Sequence, residues 1–294
     1  MKRPRFRPWV ATQALLDRLP WRLRDPAAAE AGGPSATSPS ATSAPTDEAS
    51  ERALHGAIAR AVIAALASQR VARVELESYD GPWPAPDFAA PEFAPLRLET
   101  RERLEFLLDL RGDVETRFAA IKSSHRRKVR DAEKAGVTVA EESGATALSL
   151  LHELQSSTKE RREGRGETMA LPEAEQYERL QRCFVGAGSG RLFVGRKEGQ
   201  AMSAILCGVE GPRAYYLMGG TSAAGFECNA ATLVLWRASV LLAQGGVVEL
   251  NLGGVPREAE TAGHAEHGLW RFKEGFAPRR VECRSAIWQR GNGR

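Results

Sequence analysis

Apolar positions recur along the chain in blocks, some at helical and some at strand spacing. Residues 51–70 are alanine-rich, with Leu54, Ile58, Val62, Ile63 and Leu66 near a 3.6-residue period, and predict a helix. Residues 71–79 alternate as VARVELESY and predict a strand. Prolines crowd 81–95, so neither element is expected there, while 96–98 and 104–110 are again strand-compatible. The pattern then turns helical. Asp113 is placed to cap a helix over 114–121, and a second helix over 124–135 ends at Gly136, where a left-handed residue belongs. A short strand is expected over 137–140, then helices over 145–159 and 172–184, with a loop over 160–168 between them.

The second half reads as a sheet. Apolar runs at 191–196, 201–209 and 214–219 are separated by the turn sequences Lys-Glu-Gly-Gln and Glu-Gly-Pro-Arg, which predicts consecutive antiparallel strands. A glycine-containing loop from Gly219 leads to a helix over 229–244 and a strand over 247–252. Strand, glycine loop, helix, strand makes a parallel crossover attached to an antiparallel meander. A loop with two histidines, an aromatic segment over 268–276 and a strand over 281–288 complete the chain. At the other end, 31–50 is small, polar and proline-punctuated and is expected to be a disordered linker. Residues 9–23 ahead of it form a basic amphipathic pattern, suited to weak contact with a membrane surface or to loose docking on the protein.

Composition narrows the class. The 294 residues carry a formal charge of +4, too modest to imply an anionic partner unless the charge is clustered. The four cysteines are scattered without CxxC pairing, no apolar run is long enough to cross a bilayer, and the basic start lacks the apolar stretch of a signal peptide. A cytoplasmic protein with reduced thiols is expected. His264 and His267 have an HxxH spacing but no second ligand pair, so no metal is expected. Gly220 and Gly225 bracket a stretch followed by Phe226-Glu227, which is no Walker loop.

Three local patterns carry a resemblance. These are Ser124-His125-Arg126-Arg127-Lys128-Val129-Arg130 with the strand after it, Ala214-Tyr215-Tyr216-Leu217-Met218-Gly219-Gly220-Thr221 continuing to Asn229, and Gly268-Leu269-Trp270-Arg271-Phe272-Lys273-Glu274-Gly275-Phe276. In this order they resemble the FemAB-like and BioF2-like acetyltransferase branch of the GNAT superfamily. The resemblance implies an α/β (α+β) GNAT fold, a mixed, mostly antiparallel sheet flanked by helices. It also implies a division into a basic N-terminal segment and linker over 1–50, a truncated first GNAT-like part over 51–96 and an acyltransferase domain over 97–290.

It further implies an enzyme that transfers an acyl group, acetyl above all, from acyl-CoA to a small-molecule or nucleotide- or lipid-linked amine in polysaccharide or cell-envelope synthesis. DNA is not among the implied partners. A Fem-type reading puts a charged tRNA in place of acyl-CoA, and a third reading makes the fold a non-catalytic binding module. Two departures bear on the choice: Asn251 stands where relatives often have Asp, and the glycine loop lacks the usual pyrophosphate motif.

The candidate residues combine what the resemblance implies, for Lys273 above all, with the chemistry of acyl transfer. Lys273, between two phenylalanines, is suited to binding a phosphate or stabilising an oxyanion, the plain alternative being a surface lysine between core aromatics. Glu249 and Asn251 share one side of a strand and can orient an incoming amine. Gly219, Gly220, Thr221 and Asn229 are expected to bring backbone N–H groups and a helix start to the donor. Arg126 and Arg130 lie along one helix face with Lys134, and Arg165 sits in a flexible loop, both suited to an anionic substrate or to a merely solvated surface.

Overall fold

The computed structural model describes residues 48–294 apart from 69–70, 78–87, 89, 145, 167–168, 277 and 291–294, and the expectations for 1–47 lie outside the described residues. The chain divides into two compact units, one formed by 1–102 with 283–294 and the other by 103–282.

The first unit contains helix α1 (Glu48–Ser68), strand β1 (Arg73–Glu77), a 3-10 turn (Pro91–Leu96) and the end of the last strand, β8 (Arg279–Gln289). α1 begins inside the segment expected to be linker. β1 pairs antiparallel with β8, Arg73 opposite Gln289 and Glu77 opposite Ser285. Ala59, Phe88, Ala90, Phe93 and Ala286 form the centre of this unit, with the Phe88 and Phe93 rings edge-on at 5.4 Å. Of the proline-rich stretch, Phe88 and Phe93 thus contribute core aromatics, Phe93 from within the 3-10 turn.

The second unit is built on strands β2 (Glu99–Asp109, entering at Arg103), β3 (Thr138–Glu142), β4 (Gly190–Lys197), β5 (Gln200–Glu210), β6 (Arg213–Thr221) and β7 (Glu249–Pro256). Their order is β2-β7-β6-β5-β4-β3, and only β6 and β7 run parallel. The helices are α2 (Val114–Ala120), α3 (Ser123–Lys134), α4 (Ala147–Glu163), α5 (Ala174–Leu180, continued by a π turn to Val185), α6 (Ala223–Glu227), α7 (Ala230–Gln244) and α8 (His267–Glu274). This α/β architecture, mixed and mostly antiparallel with flanking helices, is the one the resemblance implies.

Strand alternation decides which helix covers which face. Leu192, Val194, Ala204 and Leu206 pack with Leu148, Leu151 and Leu154 of α4, while Phe193, Ile205 and Cys207 join the core of α3 and α7. Both faces of β5 are therefore covered, and its central positions are buried without interruption. α7 is buried nearly all round, as expected for a crossover helix laid on the sheet between two parallel strands. As the sequence predicts, Asp113 caps α2, its carboxylate accepting from the Thr116 N–H at 2.7 Å, and Gly136 is left-handed with φ +83°.

Candidate active site

Strand β7 reads Glu-Leu-Asn-Leu-Gly-Gly-Val-Pro, and its pairing with β2 slips in the middle. Glu105 faces Gly254 and Leu107 faces Asn251, so two steps on β2 match three on β7. The extra residue makes a bulge, and Gly253 absorbs it with φ +76°, a conformation costly for any residue with a Cβ. Asn251 fastens the bulge from both ends of its amide. Its Oδ1 accepts from the Gly253 N–H at 2.7 Å, and its Nδ2 donates to Glu105 Oε2 at 2.8 Å.

Lys273 comes to the same place from α8. Its ammonium donates to the Gly254 carbonyl at 3.1 Å and lies 6.0 Å from the centre of the Phe106 ring. The three polar side chains are all buried: Glu105 is 0% exposed, Asn251 3% and Lys273 6%. Burial first, then the Arg103 charge, pushes the Lys273 pKa down from 10.5 to about 8, against the opposing pull of Glu266 and Glu105. A buried cluster holding a carboxylate and an ammonium is costly, and such clusters concentrate at functional sites.

The helix that delivers Lys273 is fixed by a second buried polar group. His125 of α3 donates its Nε2–H to the Phe272 carbonyl at 3.0 Å and stands edge-on to Phe276 at 5.0 Å. A Cβ on Gly275 would fall inside the His125 ring, which explains the glycine of the Phe-Lys-Glu-Gly-Phe segment by close packing. Two of the three patterns that carry the family resemblance therefore meet in one contact.

The remaining sequence-predicted residues are placed as follows. Glu249, two residues before Asn251, lies between Arg213 at 3.5 Å and Arg279 at 3.4 Å. Gly219, Gly220 and Thr221 all belong to β6, which runs two residues further than expected, into the segment expected to be a loop. A Cβ on Gly220 would come within 2.5 Å of the Gln155 nitrogen and 2.6 Å of the Leu154 carbonyl carbon, so α4 occupies that face, and the Tyr216 hydroxyl fills the space beside Gly219. The Thr221 N–H donates to Thr158 Oγ1 at 2.9 Å.

Asn229 precedes α7 in the left-handed conformation and makes no side-chain capping bond, contrary to a simple N-cap. It borders a surface cavity of about 520 Å³, with Asp131, Lys197, Glu198, Glu227 and Cys228 among its lining. Arg126 donates to the Ala119 carbonyl at 2.6 Å and also to that of Ile121, and the Arg130 guanidinium lies 5.6 Å over the Phe118 ring. The basic face of α3 is thus drawn into holding α2. Arg165 is exposed in the turn after α4. His264 accepts from the Glu266 N–H, and His267 stacks on Trp270 at 5.7 Å. Among the described residues no group of side chains is arranged to hold a metal ion.

Of the expected set, then, the fold brings Lys273 and Asn251 together. Glu105 and Arg103 were missed by sequence reading. The available signal was a carboxylate inside the otherwise apolar Leu104-Glu105-Phe106-Leu107-Leu108 run.

A crossover helix between two parallel strands on an antiparallel meander, with a buried charged cluster at the second of those strands, defines a GNAT-type α/β protein. The family described as "Acetyltransferase (GNAT) domain" matches residues 119–273, more than half of the chain, and the protein belongs to that family. No curated protein sequence matches it.

Among solved structures it is similar to FemX, with TM-score 0.58 and 14% identity over 79% of this chain and 76% of that one. It is also similar to the C-terminal domain of a putative lysylphosphatidylglycerol synthetase from Agrobacterium fabrum, with TM-score 0.54 and 17% identity over 79% and 72% of the two chains. L-PGS from Bacillus licheniformis has TM-score 0.53 and 12% identity over 81% and 74%. At these identities the likeness is one of fold. The family and these folds agree with the FemAB-like, BioF2-like resemblance, and the protein is a GNAT-fold acyltransferase. Family members typically use acyl-CoA. No helix among the described residues is long and apolar enough to cross a membrane.

Proposed function

We propose that this protein is an N-acyltransferase that moves an acyl group, acetyl above all, from acyl-CoA to the amine of an amino sugar, amino acid or related metabolite in polysaccharide or cell-envelope synthesis. The observation that carries this reading is the buried cluster of Glu105, Asn251 and Lys273 at the β7 bulge. In the reaction the amine nitrogen attacks the acyl carbon, the new C–N bond forms, the C–S bond breaks and the amine loses a proton. With a pKa of about 8, Lys273 is mostly an ammonium at neutral pH and donates to the oxygen on which negative charge develops. Asn251 keeps both amide ends occupied and shapes the bulge. Glu249 is held by two arginines, so the amine proton passes to water.

The course of β6 and β7 supports a place for the donor between them. Their registered parallel pairing covers only Arg213–Tyr215 with Glu249–Asn251, although β6 continues to Thr221 and β7 to Pro256. An extended chain bearing amides, such as the arm of acyl-CoA, suits a gap between diverging strands because its amides can hydrogen-bond as a strand would. Its phosphates would lie toward the start of α7 near Asn229.

One observation favours a second reading. Gly219 and Gly220 are packed against the protein's own atoms, and Asp131, Glu198 and Glu227 surround the start of α7, which is a poor cradle for a pyrophosphate. An aminoacyl-tRNA donor needs no such cradle. Calorimetry with acetyl-CoA, a longer acyl-CoA and a charged tRNA mixture, repeated on Lys273→Ala, separates the readings. Submillimolar binding of an acyl-CoA, with transfer lost in the variant, is expected. Binding of tRNA alone would overturn the acyl-CoA reading, and binding of neither would support a non-catalytic module.

A further inference from the structure

A polar chain in the second unit starts at a residue that none of the family patterns includes. Glu105 sits in the middle of β2 with its carboxylate in the core, next to Phe106 and Leu107, where an apolar side chain would be the default. It is positioned by register: facing Gly254 across the slipped ladder, it lies beside the Asn251 amide. That amide in turn holds the Gly253 N–H, and the following carbonyl, Gly254, receives the Lys273 ammonium. Three groups in series, the Asn251 amide, the Gly253 N–H and the Gly254 carbonyl, therefore connect a buried anion on β2 to a buried cation on α8.

We infer that Glu105 is a positioning residue of this centre: through Asn251 it locks the Gly253–Gly254 bulge in the form that holds the Lys273 ammonium in place. The inference rests on the reading of Lys273 as the group that serves acyl transfer. It also accounts for the departure at position 251. With a carboxylate already on β2, an aspartate on β7 would set two buried anions side by side. An asparagine instead supplies a donor to Glu105 and an acceptor to Gly253 at once. The buried anion of this site stands on β2.

The charged groups facing Lys273 are Arg103 and Glu105 on β2 and Glu266 just before α8. Removing the Glu105 charge while keeping its shape should therefore lower the pH at which Lys273 titrates, because the anion that favours the ammonium is gone and the cation that opposes it remains.

The test uses the full chain and three variants: Glu105→Gln, Asn251→Asp, and the two combined. Two readouts are followed, the Lys273 side-chain carbon resonance by NMR across pH, which needs no substrate, and the pH profile of acyl transfer. Glu105→Gln is expected to move the Lys273 titration to lower pH. Asn251→Asp places two carboxylates in contact that must share one proton, so its kcat should fall with rising pH by about tenfold or more at a pH well below the wild type's own decline, which comes as Lys273 loses its proton near pH 8. The combined variant exchanges amide and carboxylate, restores donor to acceptor, and should recover activity to within about threefold of wild type.

The inference is overturned if Glu105→Gln leaves the Lys273 resonance where it was, or if the combined variant is no better than Asn251→Asp alone. Should the resonance shift as expected while no acyl donor supports turnover in the wild type, positioning stands and the acyltransferase reading of the site falls.

Discussion

The His125 ring occupies the space that a side chain on Gly275 would need, and this contact holds α8, with Lys273 on it, against α3. Gly275 has an ordinary helical conformation, φ −63° and ψ −22°, so alanine would fit its backbone and only the clash would count. Gly275→Ala is therefore expected to destabilise the protein by about 1–3 kcal/mol, the usual cost of overpacking. Urea unfolding checks it. Adding His125→Ala should return part of the loss, because the two sites share one volume.

His125 also makes stability pH-dependent. Burial, the largest influence, and the nearby Lys122, Lys128 and Arg271 charges hold its pKa below the ordinary 6.5, against the Phe272 carbonyl. The unfolded chain thus takes up this proton first as pH falls. Its contribution to stability is complete above pH 6.5 and is lost as pH drops through the lower folded value. Thermal unfolding between pH 7.5 and 5 should show this decline, and His125→Phe should flatten it.

Lys273 acts in the opposite range. Its folded pKa of about 8 lies below the ordinary 10.5, so between those values the unfolded chain binds more protons and stability rises with pH. Lys273→Met should remove that slope and at pH 7 leave the protein more stable by roughly 1–3 kcal/mol, because a buried charge has gone. The same variant should lose acyl transfer. A stabilised, inactive protein would show that the lysine is kept for function at the expense of the fold.

Gly220→Ala sets a methyl group against the backbone of α4 at Leu154 and Gln155, atoms that cannot rotate away. A loss of about 2–4 kcal/mol is expected, larger than for Gly219→Ala, where the Tyr216 side chain can move. Chemical denaturation of both variants measures the difference.

Arg126→Ala should cost about 1–2 kcal/mol by removing the donor to the carbonyls at the end of α2. Donor affinity by calorimetry should be unchanged. A large loss of affinity with normal stability would return this arginine to the substrate-binding set.

The sequence made the sheet legible because period-2 alternation and turn chemistry coincide at 191–221, where strands β4, β5 and β6 lie. It also placed α7, whose apolar positions run for four turns between Asn229 and a glycine pair. Strand ends were harder: β6 runs through Gly219 and Gly220 because α4 packs tightly over them, a tertiary effect that no local signal carries. The aromatic segment 268–276 showed its importance but not its form, which is the helix α8. At the site, Lys273 and Asn251 could be picked out by type and neighbourhood. Glu105 could not, because its meaning depends on a one-residue slip between strands 146 positions apart in sequence. Arginines on α3 were hard to read for a related reason, since guanidinium groups that suit phosphates also suit carbonyls and aromatic faces.

β1 finds its partner at the far end of the chain, Arg73 against Gln289. The first unit is therefore discontinuous, and the whole of 103–282 is spliced into it. During synthesis the second unit has all its strands before the last residues of β8 leave the ribosome, whereas the first must wait for them. Closing so long a loop is slow unless the intervening segment has already compacted. The topology therefore predicts an order of assembly, with the inserted unit first and the pairing of β1 with β8 after it. Pulse-labelled hydrogen exchange during refolding should find β4, β5 and α7 protected before β1.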